Sequence, residues 1–108
     1  MEIDQLKKQL DSDGHLIDAS IWTEAIAQQL AELDALNLTP EHFEILKLVQ
    51  DLYAETHDTP PMRLLVKQIK IRLGEEKGNS RHLYRLFPEG PVRYASKYAG
   101  LPKPAHCM

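Results

Sequence analysis

The sequence predicts a mainly α-helical protein, a compact orthogonal bundle of about five helices with a flexible C-terminal arm. Three observations carry that expectation. Apolar residues recur at spacings of three and four, as in Trp22, Ile26, Leu30 and Leu33, which puts them on one face of a helix. The pair Thr-Pro occurs at 39–40 and again at 59–60, each time ahead of an apolar stripe. Threonine caps a helix well, and proline costs nothing at the first helical position. The chain ends Leu101-Pro102-Lys103-Pro104-Ala105-His106-Cys107-Met108. Two prolines two apart forbid a helix there and favour an extended arm.

The elements follow in order. Residues 1–10 read as a short helix with Ile3, Leu6 and Leu10 on one side. A small hairpin across the turn signal Asp11-Ser12-Asp13-Gly14 is the competing reading. A helix runs from Trp22 and breaks near Asn37. The next starts at Thr39-Pro40 and carries Phe43, Leu46, Val49, Leu52 and Tyr53. Another follows Thr59-Pro60 through Leu64, Leu65, Ile69 and Leu73, where Gly74 supplies a left-handed stop. The loop Glu75-Glu76-Lys77-Gly78-Asn79 leads to a short helix from Ser80 with Leu83, Leu86 and Phe87. Pro88, Gly90 and Pro91 make a corner before the last helix, Pro91 to Ala99, which Gly100 closes.

The chain has 108 residues, with 43% hydrophobic and 27% charged side chains. These values suit a single globular domain spanning 1–108, with 100–108 as the arm. No basic start leads into an apolar stretch, and no apolar run approaches the roughly 20 residues of a membrane span. The expected location is therefore the cytoplasm, with no membrane partner. Residues 1–62 hold 13 acidic and 3 basic side chains, net −10, whereas residues 63–108 hold 3 and 10, net +7. Either the basic half attracts an acidic protein surface or RNA, or the two halves face each other in the fold.

Cys107 is the one cysteine of the chain. A free cysteine within a helix stripe is usually buried and inert. One at a chain end is rarely buried, and in a reducing compartment its thiol stays available. A sulfur carrier needs such a thiolate on an arm, to reach a donor's persulfide and then an acceptor. With one cysteine no internal disulfide can discharge the persulfide. Lys103 and His106 favour the thiolate, and the terminal carboxylate of Met108 opposes it.

The motifs Gly74-Glu75-Glu76-Lys77-Gly78-Asn79-Ser80-Arg81, Leu83-Tyr84-Arg85-Leu86-Phe87-Pro88, Gly90-Pro91 and Ala99-Gly100-Leu101-Pro102-Lys103-Pro104 precede the penultimate Cys107. Together they closely resemble the TusE/DsrC family of small sulfur-carrier proteins. Trp22, Leu38-Thr39-Pro40-Glu41-His42, Tyr53, and Pro60 with Arg63, Leu65, Val66 and Lys67 extend the likeness upstream. The resemblance implies a mostly helical fold with a small N-terminal β-hairpin, which favours two short strands within residues 7–18. It also implies a C-terminal arm whose penultimate cysteine is Cys107. DsrC proteins carry a second cysteine eleven residues before the last, and here that position is Ser96. The chain therefore resembles the single-cysteine TusE branch. That branch takes sulfur from the TusBCD complex and passes it to the MnmA enzyme, which thiolates the tRNA wobble uridine. The chain departs from the pattern at Phe43, often tryptophan, at Tyr94, commonly glutamine, and at His106, usually glycine or lysine.

The expected functional residues are Cys107 as persulfide carrier, with Arg63, Tyr84, Arg93, Lys97, Lys103 and His106 as partner or arm contacts. Arg63 reads equally as a solvated helix residue with a packed stem, whereas for Tyr84 a core aromatic with a satisfied hydroxyl is the commoner reading. The carrier needs no cofactor beyond the transient sulfur, and its contact with tRNA would be indirect. His106-Cys107 lacks two further ligands for a metal, and Lys77-Gly78 lacks the surroundings of a phosphate loop. Two other readings stay open. One is a single-cysteine DsrC-like protein of sulfur oxidation. The other is a regulatory DNA- or protein-binding helical module, since short helices with a basic half suit it too. Such a regulator has no need of Cys107.

Overall fold

Three of the helices begin where a side chain satisfies a free backbone N–H group at the helix start. The computed structural model describes residues 1–104; residues 105–108 lie outside the description. The described residues form six α-helices: α1 (Ile3–Lys7), α2 (Glu24–Leu33), α3 (Pro40–Thr56), α4 (Met62–Leu73), α5 (Ser80–Leu86) and α6 (Pro91–Tyr98). One 3-10 turn spans Ala19–Ile21. Thr23 caps α2 by accepting from the Ile26 N–H at 3.1 Å. Trp22 therefore stands just outside the helix rather than on its first rung. α3 opens at Thr39-Pro40 as expected, with the Thr39 N–H donating to His42 Nδ1 at 3.0 Å. The second Thr-Pro pair does not open a helix, for α4 starts only at Met62. Pro61 is the cause, because a residue before proline is steered away from helical backbone, and that residue is Pro60. Asn79 caps α5 by accepting from the His82 N–H at 2.8 Å.

The N-terminal hairpin expected across residues 7–18 is not formed; among the described residues there is no strand. The turn holds only one antiparallel bridge, Leu10 to Leu16. Around it the Asp11 N–H donates to the His15 carbonyl and the Ile17 N–H to the Gln9 carbonyl, both at 2.8 Å. The chain leaves extended geometry on both sides before a second pair can form. Upstream it belongs to α1, and downstream Asp18 caps the 3-10 turn by accepting from the Ser20 N–H at 2.9 Å. The competing helix over residues 1–10 holds for Ile3–Lys7 alone.

α6 is the central element and packs against α2, α3, α4 and α5. Its Ala95 and Ser96 are wholly buried, and small side chains there let neighbouring helices come close. Phe87 and Tyr98 stack with ring centroids 6.3 Å apart. Ile45, Leu46 and Val49 of α3, Leu65 and Ile69 of α4, and Leu83 of α5 complete the core. Each such side chain contributes about 1.5–3 kcal/mol by leaving water. Packing from four helices thus fixes α6, and with it the point where the arm departs. No helix among the described residues is long and apolar enough to cross a membrane.

Candidate functional site

The chain that follows α6 is fastened at successive points before it reaches residue 105. The indole Nε1 of Trp22 donates to the Tyr98 carbonyl at 2.7 Å. Gln50 of α3 donates from Nε2 to the Ala99 carbonyl at 2.8 Å. Gly100 turns the chain at a φ of +78°, and a Cβ there would lie 2.6 Å from Trp22 Cδ1. The Leu101 carbonyl meets His15 Nδ1 at 2.9 Å. Since a carbonyl only accepts, that nitrogen carries the proton. Lys103 pairs with Asp13 at 3.4 Å, both side chains being about 40% exposed, which contributes at most about 1 kcal/mol. Leu101 and Pro104 are buried. Residues 100–104 are thus fastened to the body rather than forming a flexible arm, and the rest of the expected arm, 105–108, lies outside the described residues.

The N-terminal turn that grips the arm is itself held by Asp11, whose Oδ1 accepts from the N–H groups of Asp13 and His15 at 2.9 and 3.0 Å. Partial desolvation pushes the Asp11 carboxyl up, but these backbone donors outweigh it and hold the pKa below the ordinary value. His15 is fully buried beneath the turn, and its Nε2 has no partner among the described residues. Next to the arm's root lies an open cleft of about 540 Å³ lined by Trp22, Glu24, Pro40, Phe43, Lys47 and Gln50. Two of these, Trp22 and Gln50, are the residues that hold the chain at 98–99.

The expected functional residues do not converge on one site. Cys107 and His106 lie outside the described residues. Lys103 is at the arm's root. Lys97 is directed into the fold, 2.8 Å from Asp34 Oδ2 and only 12% exposed. Tyr98 shares that carboxylate, its hydroxyl donating at 2.8 Å. Burial first, then the Asp34 carboxylate, pushes the Tyr98 pKa far up, so it stays a neutral donor. Arg93 lies over the Tyr94 ring, 5.6 Å from its centroid. Arg63 is exposed in the first turn of α4. Tyr84 is 52% exposed on α5, at variance with a place in the core. Ser96 sits inside α6 rather than on the arm, its hydroxyl donating to the Val92 carbonyl at 2.7 Å.

His15, Asp13, Gln50 and Asp34 were absent from the sequence-based set. The turn signal marked the place of Asp13 and His15. Nothing in the sequence tied it to a carbonyl 86 residues away.

Comparison with known proteins agrees with this architecture. A family model described as DsrC-like protein matches residues 2–108. Sulfurtransferase TusE of Escherichia coli K12 is 49% identical over 98 residues, covering 91% of this chain and 90% of that protein. The sulfurtransferase TusE homolog of Haemophilus influenzae is 44% identical over all of this chain and 99% of its own. Among solved structures, DsrC of Allochromatium vinosum superposes with a TM-score of 0.83 at 41% identity, covering 92% of this chain and 88% of that one. The oxidised γ-subunit of dissimilatory sulfite reductase (DsrC) from Archaeoglobus fulgidus gives 0.80 at 38% identity, covering 92% and 90%. A match that runs through every helix and the root of the arm shows that this chain belongs to the DsrC-like family, which includes the TusE sulfurtransferases.

Proposed function

We propose that this protein is a sulfur-relay carrier that holds sulfur as a persulfide on Cys107 and passes it on for 2-thiouridine formation at the tRNA wobble position. The observation that carries the reading is near-half identity to TusE sulfurtransferases over nine-tenths of the chain, in a sequence with one cysteine, next to last. In the loading step the Cys107 thiolate attacks the terminal sulfur of a donor persulfide. A new bond forms between Cys107 Sγ and that sulfur, the donor's S–S bond breaks, and the donor leaves as a thiolate. The sulfane sulfur changes carrier without an external oxidant or reductant. In the second step the acceptor takes the terminal sulfur and Cys107 is regenerated.

The donor in this reading resembles the TusBCD complex and the acceptor resembles the MnmA tRNA thiolase. Contact with tRNA is then indirect. Serine at position 96 supports the single-cysteine mode, because a hydroxyl cannot form a disulfide with Cys107.

The test is intact mass after incubation with a cysteine desulfurase relay and free cysteine. The wild type should gain one sulfur atom that a reductant removes, and Cys107→Ser should gain none. A wild type that stays unmodified with every donor tried overturns the reading.

A further inference from the structure

We propose that the outward face of α4 is the docking surface of this carrier for an acidic protein surface on its sulfur-exchange partner. The proposal rests on the carrier reading and adds the surface to it. Half of the ten cations in residues 63–108 are already paired among the described residues. Arg72 meets Glu55 at 3.3 Å, Lys77 meets Glu44 at 2.6 Å, Arg85 meets Glu41 at 3.2 Å, Lys97 meets Asp34 at 2.8 Å and Lys103 meets Asp13 at 3.4 Å. Arg63, Lys67 and Lys70 are exposed and form no ion pair among the described residues. Their spacings of four and three put them in one row along α4.

The row is unfavourable for the isolated fold. Like charges at those spacings repel, at about 0.2–0.5 kcal/mol per pair. Arg63 sits in the first turn of a helix that holds no acidic residue there, where the macrodipole disfavours a cation. Beside the row, Leu64 and Ile71 are 42% and 67% exposed. They lie seven residues apart, so they flank the cations on the same side. The opposite side of the helix, with Leu65 and Ile69, is buried.

The chemistry of the face names its occupant. Three unpaired cations call for carboxylates. Two bare aliphatic side chains call for an apolar complement, as in the centre of a protein interface. A single-stranded nucleic acid would instead be met by aromatic rings on which bases stack, and this face carries none. Gly78 packs directly on the α4 backbone, where a Cβ would come 2.4 Å from Lys70 Cα. The loop 74–79 thus lies against α4 at Lys70, whose residue nevertheless stays exposed.

The test compares the wild type with the triple variant Arg63→Glu, Lys67→Glu, Lys70→Glu in loading of Cys107 by the purified relay. Lys7→Glu with Lys8→Glu at the end of α1, a charge change of −4 against −6 in the triple variant, controls for added negative charge, and circular dichroism confirms folding. The triple variant should raise the KM for the carrier about ten-fold or more, with kcat kept at saturation. The wild-type KM should climb with ionic strength while that of the variant stays flat. Ile71→Ser, which leaves charge untouched, should raise KM at every salt concentration.

An unchanged KM in the triple variant overturns the proposal, as does an equal rise in the α1 control. Unchanged loading with weakened binding to purified tRNA in a gel shift gives the face to RNA and overturns it as well. So does salt-dependent self-association in sedimentation that the triple variant abolishes, which would make a second copy the occupant. A wild type that never loads removes the carrier reading and this proposal together. A wild type that loads with the KM of the variant removes the docking face alone.

Discussion

Gly100 is where fold and arm meet, and replacing it with alanine tests how tightly. The residue stands at φ +78°, and an added Cβ would lie 2.6, 2.9 and 3.0 Å from three atoms of Trp22. The left-handed backbone alone costs an L-residue about 1–2 kcal/mol. Overpacking against the indole adds about 1–3 kcal/mol. Trp22 has little freedom to retreat, since its Nε1 is bonded to the Tyr98 carbonyl at 2.7 Å. The lower entropy of the unfolded alanine chain returns about 0.4–1 kcal/mol. The net loss should be about 2–4 kcal/mol, read as a lower urea midpoint at constant slope. A double-mutant cycle separates the two causes. With Trp22→Ala in place the two closest contacts, to the indole ring, disappear, leaving the backbone strain and a 3.0 Å approach to the residual Cβ. Gly100→Ala should then cost about 1 kcal/mol. An equal cost in both backgrounds, within about 0.5 kcal/mol, would refute the close approach of Trp22 as the reason for glycine.

Two further outcomes follow from buried polar groups. Asp34→Ala strands the buried Tyr98 hydroxyl and releases Lys97, so it should destabilise by about 1–3 kcal/mol. Asp34→Asn keeps an acceptor for the hydroxyl and should lose clearly less in the same urea titration. His42 is held below its ordinary pKa of 6.5, chiefly by burial, which outweighs the opposing bond to the Leu86 carbonyl. Its Nδ1 accepts from the Thr39 N–H at 3.0 Å while Nε2 lies 2.7 Å from that carbonyl, so the neutral Nε2–H tautomer fits both. Protonation would place a hydrogen on Nδ1 and break the cap. The unfolded chain binds this proton more readily, so the contribution of His42 is fully present above about pH 6.5 and falls as pH drops below it. In thermal melts the wild type should lose stability more steeply than His42→Gln as pH falls below about 6.5, so that the gap between them narrows, and parallel pH trends would refute the assignment.

What was legible in the sequence was what local chemistry decides. Thr39-Pro40 opened α3 because cap and proline act within one turn. Gly74 and Gly100 ended helices at positive φ. The failures have equally local causes. Pro61 delayed α4 past the signal at Thr59-Pro60. The expected hairpin shrank to the Leu10–Leu16 bridge because α1 and the 3-10 turn claim the flanks. Tyr84 went to the surface although it neighbours Leu83, which is fully buried; on so short a helix one step decides the face. The site was harder to read, because its contacts are long in sequence. Lys97 is basic in any sequence-based count, but Asp34 lies beside it only in the fold. His15 looked like one of five scattered histidines, and only the folded chain brings it to Leu101.

That distant grip bears on how a carrier of this design works. Cys107 is the third residue after the buried Pro104, and three residues of chain span at most about 11 Å. On the carrier reading, a partner's reacting sulfur must therefore come close to the body of the protein, near the N-terminal turn and the end of α6. A long unfastened arm would search a wider volume, and its end would spend less time at any one place. Anchoring residues 100–104 trades reach for position. Encounter must then be won by surfaces of the folded body that bring the partner in and turn it the right way. A row of unpaired cations with aliphatic neighbours, carried on rigid α4, has the properties such a task requires.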